Sequence, residues 1–458
     1  MPSFNPPSAP HSSLRPTLAI WLLFLGAIIP ALAKAPNLIL IYADDLGYGD
    51  LGCYGSEEIH SPHLDRLASE GLRFTDFYAT SASCTPSRAA LMTASYPGRV
   101  GLNNVLMPES KDKKTGKHLG LNPSEITLAE ILRDQGYATA LVGKWHLGDH
   151  PEFLPTNHGF EHFFGLPYSN DMVPPRFVDL PLMRNEEVIA VNPDQDLITR
   201  RYTEESLRFI EENKDQPFFL FLSHSMPHRP CHASEPFTKR FSKEQLAQIK
   251  PGEDKASRDF LYPAAVEEID WSAGQILTKL AEVELESNTL ILFTSDNGPK
   301  VGSAGPLRGL KGSNYEGGHR VPGIMRWPDR IPAGSTTDEI ATTMDLLPTM
   351  AHLLGVKLPD DRVLDGHNIL PLLENPASAQ SPYRAYFYTH GPLGVRVGPW
   401  KLLGRGKQAA LYNLETDLKE RTNLLKKHPE VVARLEKERE AFRASLKAHS
   451  RLAGVPQL

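Results

Sequence analysis

The sequence predicts an α/β protein built on a large, predominantly parallel sheet, followed by a smaller C-terminal unit. Three observations point that way. Continuous apolar runs such as Asn37-Leu38-Ile39-Leu40-Ile41-Tyr42 have the character of strands buried on both faces. Amphipathic helical stretches alternate with them, the order of βαβ units. Past a Pro- and Ser-rich segment, residues 374–382, the pattern changes to short strands separated by turns.

In chain order, the first buried strand runs into Ala43-Asp44-Asp45-Leu46-Gly47. Open α/β sheets place their sites at the carboxyl ends of strands. Adjacent carboxylates repel unless a cation or solvent separates them, so Asp44-Asp45 is either a solvated turn or part of a cation site. Residues 61–68 read as a helix capped by Ser61, and residues 72–78 alternate like a strand. Residues 124–132 form an amphipathic helix before a second buried strand, residues 137–142, which ends at Gly143-Lys144-Trp145-His146. In an extended segment Lys144 and His146 point the same way. Residues 216–223 are a third buried strand, ending in His224-Ser225-Met226-Pro227-His228-Arg229-Pro230. Residues 262–283 are a long helix with Val266, Ile269, Ile276, Leu277 and Leu280 on one face. The strand at residues 289–294 ends in Ser295-Asp296-Asn297-Gly298. Asp44, Asp45, Asp296 and Asn297 offer an all-oxygen set suited to a hard cation, Ca²⁺ or Mg²⁺, and no zinc-type spacing is present. Residues 307–322 are Gly-rich and basic, a flexible surface loop by composition. Short strands follow near residues 383–388, 394–403 and 411–414, and a charged helix from about Glu430 to Lys447 closes the chain.

Ser83-Cys84-Thr85-Pro86-Ser87-Arg88-Ala89-Ala90-Leu91-Met92-Thr93 reads as a cysteine at the mouth of a helix. Pro86 suits the first turn, and the residues after Arg88 are good helix formers. Free N–H groups and the positive end of the dipole favour an anion there, with Arg88 one turn from Cys84 on the same face. On residues alone, a buried structural cysteine beside a surface ion pair is an equal reading.

The chain has 458 residues, 40% of them apolar, which fits one large domain or a large and a small one. A net charge of −6 argues against a nucleic-acid binder, so any anion site is a local basic cluster. Arg15 precedes an apolar run over residues 18–29, and Ala31-Leu32-Ala33 fits a small-x-small cleavage pattern. The run is short of the roughly 20 residues of a bilayer span. Residues 1–33 are therefore expected to be a signal peptide of an exported protein (periplasmic or secreted, lysosomal in type if eukaryotic), with an uncleaved anchor as the alternative. Three cysteines make no disulfide framework; Cys53 and Cys231 are the pair left open.

The Cys84 stretch resembles the signature of the sulfatase family, whose cysteine a modifying enzyme oxidises to formylglycine, the catalytic aldehyde. The family usually has Gly where this chain has Ala94. Gly136-Tyr137-Ala138-Thr139 through Gly143-Lys144-Trp145-His146 resembles the second sulfatase signature, in the family's order. Asn157 to Gly165, and then Leu166-Pro167-Tyr168-Ser169-Asn170-Asp171, are similar to the branch of arylsulfatase A and N-acetylgalactosamine-6-sulfatase, where the serine matching Ser169 lies near the sulfate. The family's Pro-His-x-Pro position falls on His228, with His224 as its competitor, and its sulfate-contacting lysine falls on Lys311, before Tyr315-Glu316-Gly317-Gly318. The resemblance covers nearly the whole mature chain. It implies an alkaline-phosphatase-like fold: a large mixed, mostly parallel sheet with helices on both faces over residues 34–380, and a small antiparallel sheet with a helix over residues 381–458.

The resemblance further implies hydrolysis of sulfate monoesters, aryl sulfates in vitro and sulfated carbohydrates in nature. Formylglycine made from Cys84 hydrates to a diol. One hydroxyl attacks sulfur, assisted by a metal held by Asp44, Asp45, Asp296, Asn297 and residue 84 itself. Loss of a proton from the second hydroxyl expels sulfate and restores the aldehyde. Arg88 would hold the diol, Lys144 and Lys311 the sulfate oxygens, and Ser169 would lie beside them. His146 would be the base for that collapse, and His228 (or Lys311) would protonate the leaving oxygen. The implied partners are a sulfated small molecule or glycan and a formylglycine-generating enzyme, with neither nucleic acid nor stable membrane insertion expected. Loops at residues 172–192 and 231–255 are expected to select the alcohol. Two alternatives stand: a phosphate or phosphonate monoester hydrolase of the same superfamily, and a catalytically silent binder of sulfated glycans.

Overall fold

The computed structural model describes residues 1–6, 35–250, 254–391 and 393–456. The apolar run and cleavage pattern expected of a signal peptide lie outside the described residues. The fold belongs to the unit Ala35–Leu458.

Ten strands make one sheet, in the spatial order Ser335–Thr337, Leu72–Phe74, Gly323–Arg326, Thr289–Ser295, Asn37–Ala43, Phe218–Ser223, Ala138–Lys144, His162–Leu166, Pro181–Arg184, Glu187–Val191. The five from Thr289–Ser295 to His162–Leu166 run parallel. Gly323–Arg326 flanks them antiparallel on one side, and the hairpin of Pro181–Arg184 and Glu187–Val191 on the other. Every residue of Asn37–Ala43 is buried because its period of two serves two cores. Leu38, Leu40 and Tyr42 pack with Ala89 to Met92, Leu128 and Leu346. Ile39, Ile41 and Ala43 pack with Leu64, Ile210 and Ile269. Helices Cys84–Thr93, Leu128–Asp134 and Leu346–Leu353 thus cover one face, and Pro62–Ser69, Ile198–Glu212 and Tyr262–Glu282 the other.

Tyr386–Tyr388, Gly394–Val397, Trp400–Leu403 and Ala410–Asn413 form a separate antiparallel sheet. The Pro429–Ala448 helix lies on it, Leu435 packing with Val395, Leu402 and Leu411. The expected architecture is therefore present.

Several local expectations are corrected. Residues 72–78 are not one strand: Leu72–Phe74 joins the large sheet, while Phe77–Tyr78 pairs with Ala341–Thr342 elsewhere. The break falls where Asp76 turns to Arg320 and Arg396. Ser61 does not cap its helix; its hydroxyl accepts from the Gly52 N–H at 2.8 Å and donates to Asp65. The helix expected from residue 124 starts at Leu128, fixed by a capping box between Thr127 and Glu130. Residues 307–322 are only in part a surface loop: Arg308, Leu310 and Gly312 are exposed, whereas the turn Glu316–His319 is buried. The helix Ile198–Glu212 and the Pro181–Val191 hairpin were not anticipated. The three cysteines are all free thiols, so Cys53 and Cys231 are not paired.

Candidate active site

The parallel register brings strand ends into line. Ala43 lies opposite Ser295, so Asp44 and Asp45 emerge beside Asp296 and Asn297. Gly143 lies opposite Ser223, so Lys144 emerges next to them. Glycine is required at 143: its φ is 123°, and a Cβ there would sit 1.8 Å from the Ser223 carbonyl oxygen. The Cys84–Thr93 helix, buried along its whole length, points its first residue at this junction.

Cys84 Sγ lies 3.5 Å from Asp44 Oδ1 and 3.2 Å from Lys311 Nζ. Arg88 donates from Nε and Nη2 to Asp296 Oδ2 at 3.1 and 3.0 Å, and from Nη1 to the Lys144 carbonyl at 3.0 Å and Ser223 Oγ at 2.7 Å. Lys144 Nζ donates to Asp44 Oδ2 and, at 3.2 Å, to Ser169 Oγ. Lys311 Nζ lies 2.6 Å from Asp45 Oδ1. The backbone N–H groups of Lys311 and Gly312 bond the Pro299 and Ala82 carbonyls, which tie the Lys311 loop to both the Asn297 turn and the approach to Cys84. His228 Nε2 is 3.6 Å from Asp45 Oδ2. His224 is buried with neither ring nitrogen bonded, so of the two competing histidines it is His228 that faces the carboxylates.

His146 departs from the extended geometry expected of it. Its φ is 65°, which breaks the strand alternation after Lys144. Its ring is placed instead by Nε2 against the Leu106 carbonyl at 2.9 Å, and its own carbonyl accepts from Thr85 Oγ1 at 3.0 Å. A carbonyl only accepts, so Nε2 carries the proton and the buried Nδ1, without a partner, keeps its lone pair.

The charges are strongly coupled. Burial raises the Asp44 carboxyl, but Lys144 first, then His228, Arg88 and Lys311, bring it well below the usual range. Asp296 goes the other way, pushed up to about 7 by burial and by Asp44, with Arg88 opposing. Burial also raises the Cys84 thiol, against Lys144 and Lys311. A neutral thiol is a poor nucleophile. Burial, then Lys144, holds His146 neutral well below its ordinary value.

The donor set fits a hard cation. Asp296 resists ionising beside Asp44 and Asp45, and the buried Asn297 Oδ1 has no hydrogen-bond partner while its Nδ2 donates to Asp45 Oδ1 at 2.7 Å. Asp44, Asp45, Cys84 and His228 each bring a ligand-type atom within 4.8 Å of the others. That group adds His228, expected on the substrate. It omits Asp296, whose oxygens go to Arg88 and the Asp45 N–H.

Asp44, Asp45, Cys84, Arg88, Lys144, Ser169, His228, Asp296, Asn297 and Lys311 thus lie in one connected cluster; His146 joins it through its carbonyl on Thr85, next to Cys84, and His224 stays outside it. Three supports were not foreseen. Ser223 and Thr85 hold Arg88 and His146. Ser223 ends a buried strand, the same signal that flagged Asp44, whereas the Leu106 carbonyl has no side-chain signal at all.

The family profile described as Sulfatase matches residues 36–356, and one described as N-sulphoglucosamine sulphohydrolase, C-terminal, matches residues 311–445. The chain is 38% identical to human (Homo sapiens) arylsulfatase A over 407 residues, 81% of this chain and 75% of that one. It is 37% identical to human steryl-sulfatase over 456 residues, 80% of this chain and 74% of that one. A solved structure, Ps i-CgsB in complex with k-i-k-neocarrahexaose, superposes with a TM-score of 0.76 at 29% identity, covering 92% of this chain and 95% of that one. With strand ends, basic groups and helix start assembled as above, the chain belongs to the sulfatase family and is a sulfatase, a hydrolase of sulfuric esters.

Proposed function

We propose that this sulfatase works through formylglycine made from Cys84, beside a divalent metal held by Asp44, Asp45, Asp296 and Asn297, on sulfated carbohydrates. The single observation that carries this is the position of Cys84 Sγ, 3.5 Å from Asp44 Oδ1 and 3.2 Å from Lys311 Nζ. Residue 84 thereby stands between the carboxylates and the ammonium groups. When present, the aldehyde supplies a hydrated nucleophile and the metal, Ca²⁺ or Mg²⁺, supplies Lewis-acid assistance.

This chain's own residues do the rest. Arg88, fixed by four hydrogen bonds, holds the helix start against Asp296 and offsets its charge. Lys144 and Lys311 pair with Asp44 and Asp45 and are the two ammonium groups that can turn to sulfate oxygens as charge accumulates there. Ser169, bonded to Lys144 Nζ, steadies that lysine beside the sulfate. His146 Nδ1, which keeps its lone pair, accepts a proton, and His228 donates one to the leaving alcohol oxygen.

Among the described residues no helix is long and apolar enough to cross a membrane. The protein is read as exported after removal of residues 1–33, with a catalytic part over residues 34–380, a C-terminal part over residues 381–458, and maturation by a formylglycine-generating enzyme. Carbohydrate as substrate draws on the oligosaccharide named for Ps i-CgsB. The test is peptide mass spectrometry across Cys84, paired with turnover of 4-nitrophenyl sulfate and 4-nitrophenyl phosphate. An aldehyde at residue 84 with dominant sulfate release is expected. An unmodified thiol in an active preparation, or dominant phosphate release, overturns the proposal.

A further inference from the structure

Three segments that build the active site run past it into one cleft. Leu106, whose carbonyl meets His146 Nε2 at 2.9 Å, leads to Glu109. His146, whose N–H donates to the Pro167 carbonyl at 3.0 Å, leads to Asp149 and His150. Tyr168 precedes Ser169, whose Oγ accepts from Lys144 Nζ at 3.2 Å, which puts the Tyr168 Cα within about 10 Å of that nitrogen. Glu109, Asp149, His150 and Tyr168 line the cleft with His118 and the Pro181–Val191 hairpin. Its volume is about 320 Å³, at the small end of the ~300–1,000 Å³ of ligand pockets. Of the two loops expected to select the alcohol, residues 172–192 reach it and residues 231–255 do not.

Its walls are fixed by contacts of their own. Glu109 is held in the left-handed region, φ 55°, with its N–H donating to Asp149 Oδ2 at 2.7 Å. Strain of this kind collects at ligand clamps. His118 and His150 stack with ring centroids 4.8 Å apart, and each Nδ1 is buried, so the ring edges left to meet a ligand carry Nε2. The Tyr168 hydroxyl donates to the Asp179 carbonyl at 2.7 Å, which ties that rim residue down. Val178 and Val188, 43% and 49% exposed, make the outer wall apolar.

The lining decides the occupant. Glu109, Asp149 and Asp179 bring hydrogen-bond acceptors, and among the described residues no lysine or arginine lines the cleft. A second sulfate or a uronate would meet like charge there. Nor are the three carboxylates a cation site: among the described residues only the active-site group brings its ligand atoms within 4.8 Å of one another. A phenol or sterol would cover the carboxylates without offering donors, which is costly. A neutral sugar ring brings hydroxyl donors for the acceptors and a C–H face for the valines. We propose that this cleft is a subsite for a neutral sugar residue joined to the sulfated one, so that the preferred substrate is an oligosaccharide carrying its sulfate on one ring. This rests on the sulfatase reading of the site.

The test measures kcat/KM of the mature, metal-loaded enzyme on 4-nitrophenyl sulfate and on a panel of methyl hexoside monosulfates. The best sulfated hexose is then joined to a neutral hexose at each free position, and the same disaccharides are made with a second sulfate on that hexose. One neutral disaccharide should exceed the methyl glycoside by about ten- to hundredfold, the range for a hydrogen bond to a charged group. The second sulfate should remove that gain. Val188→Trp, which fills the cleft from the exposed sheet edge, should lose the gain and keep the wild-type rate on 4-nitrophenyl sulfate. A wild type that gains nothing from any neutral hexose, or that prefers the disulfated sugars, overturns the proposal without any variant. So does a folded Val188→Trp that keeps the gain, or turnover of 4-nitrophenyl sulfate with none on any sugar. Failure of the wild type on 4-nitrophenyl sulfate and every sugar sulfate instead removes the sulfatase reading beneath it.

Discussion

Lys401→Met probes how the C-terminal sheet supports the site. Lys401 is 0% exposed, with Nζ 2.7 Å from Glu316 Oε1 and 2.9 Å from Glu420 Oε1. Glu316 also accepts from the Tyr78 and Tyr388 hydroxyls, and its N–H donates to Glu420 Oε2 at 2.8 Å. Against burial, Lys401 and then Arg320 and Arg396 keep Glu316 ionised, while burial drives Glu420 up. One ammonium is therefore shared between two carboxylates, with Arg320 and Arg396 adding to it only at Glu316. Removing one partner of a buried ion pair costs about 3–5 kcal/mol, because the other charge is left uncompensated. Arg320 stays 3.5 Å from Glu316, which places the expectation at the lower end. Urea unfolding should show that loss. Lys401→Met/Glu420→Gln should regain about 1–2 kcal/mol by removing one of the stranded carboxylates, a coupling typical of contacting groups. Because Glu316 ends the Lys311 loop, kcat should fall in the single variant at temperatures where it is still folded. A single variant within about 1 kcal/mol of wild type, or a double variant no more stable than the single, would refute the shared-ammonium account.

Three further outcomes are expected. Cys84→Ser should release at most one equivalent of nitrophenol per enzyme from 4-nitrophenyl sulfate; sustained turnover counts against formylglycine chemistry. Dialysis against a chelator should abolish activity and lower the melting temperature, and Ca²⁺ or Mg²⁺ should restore both; unchanged melting and rates in metal-free protein count against the carboxylate site. Burial holds His158 down to about 4, so the folded protein stays neutral there while the unfolded chain takes up a proton below about 6.5. Wild-type stability is therefore lost as pH falls from 6.5 toward 4, and His158→Phe, which has no such group, should gain on wild type by about 1.4 kcal/mol per pH unit across that window. A pH-independent difference between the two proteins in urea unfolding contradicts this.

Asp44, Asp45, Lys144, Asp296 and Asn297 could be read from the sequence because each follows a buried apolar run, and parallel register then brings those run ends together. The signal is local, while its consequence is tertiary. Elements without a local signal escaped. The Ile198–Glu212 helix opens on β-branched residues with no side-chain cap, directly after a short 3₁₀ turn. Glu187–Val191 lies at the sheet edge with most of its apolar side chains exposed, so no core periodicity marks it. The break after Phe74 depends on Arg320 and Arg396, far away in the chain, pulling on Asp76. His146 is turned by a backbone carbonyl at Leu106, which no side-chain pattern reports.

Ala94, where the family pattern has Gly, shows what such a pattern constrains. It caps the Cys84–Thr93 helix at φ 51° and ψ 27°, in the left-handed region. That conformation costs an L-residue roughly 1–2 kcal/mol and costs Gly nothing. The Ala94 methyl, however, is fully buried, which contributes about 0.8 kcal/mol, and Gly would add roughly 0.4–1 kcal/mol of chain entropy to the unfolded state. The terms cancel to within their size, so the two residues are nearly interchangeable here. What the fold needs is the backbone: the residue 94 carbonyl accepts from the Asp365 and Gly366 N–H groups at 2.7 and 3.0 Å, and either residue supplies it. The demand at this position is thus a chain reversal at the far end of the helix, and the chemistry at Cys84 is untouched by the exchange.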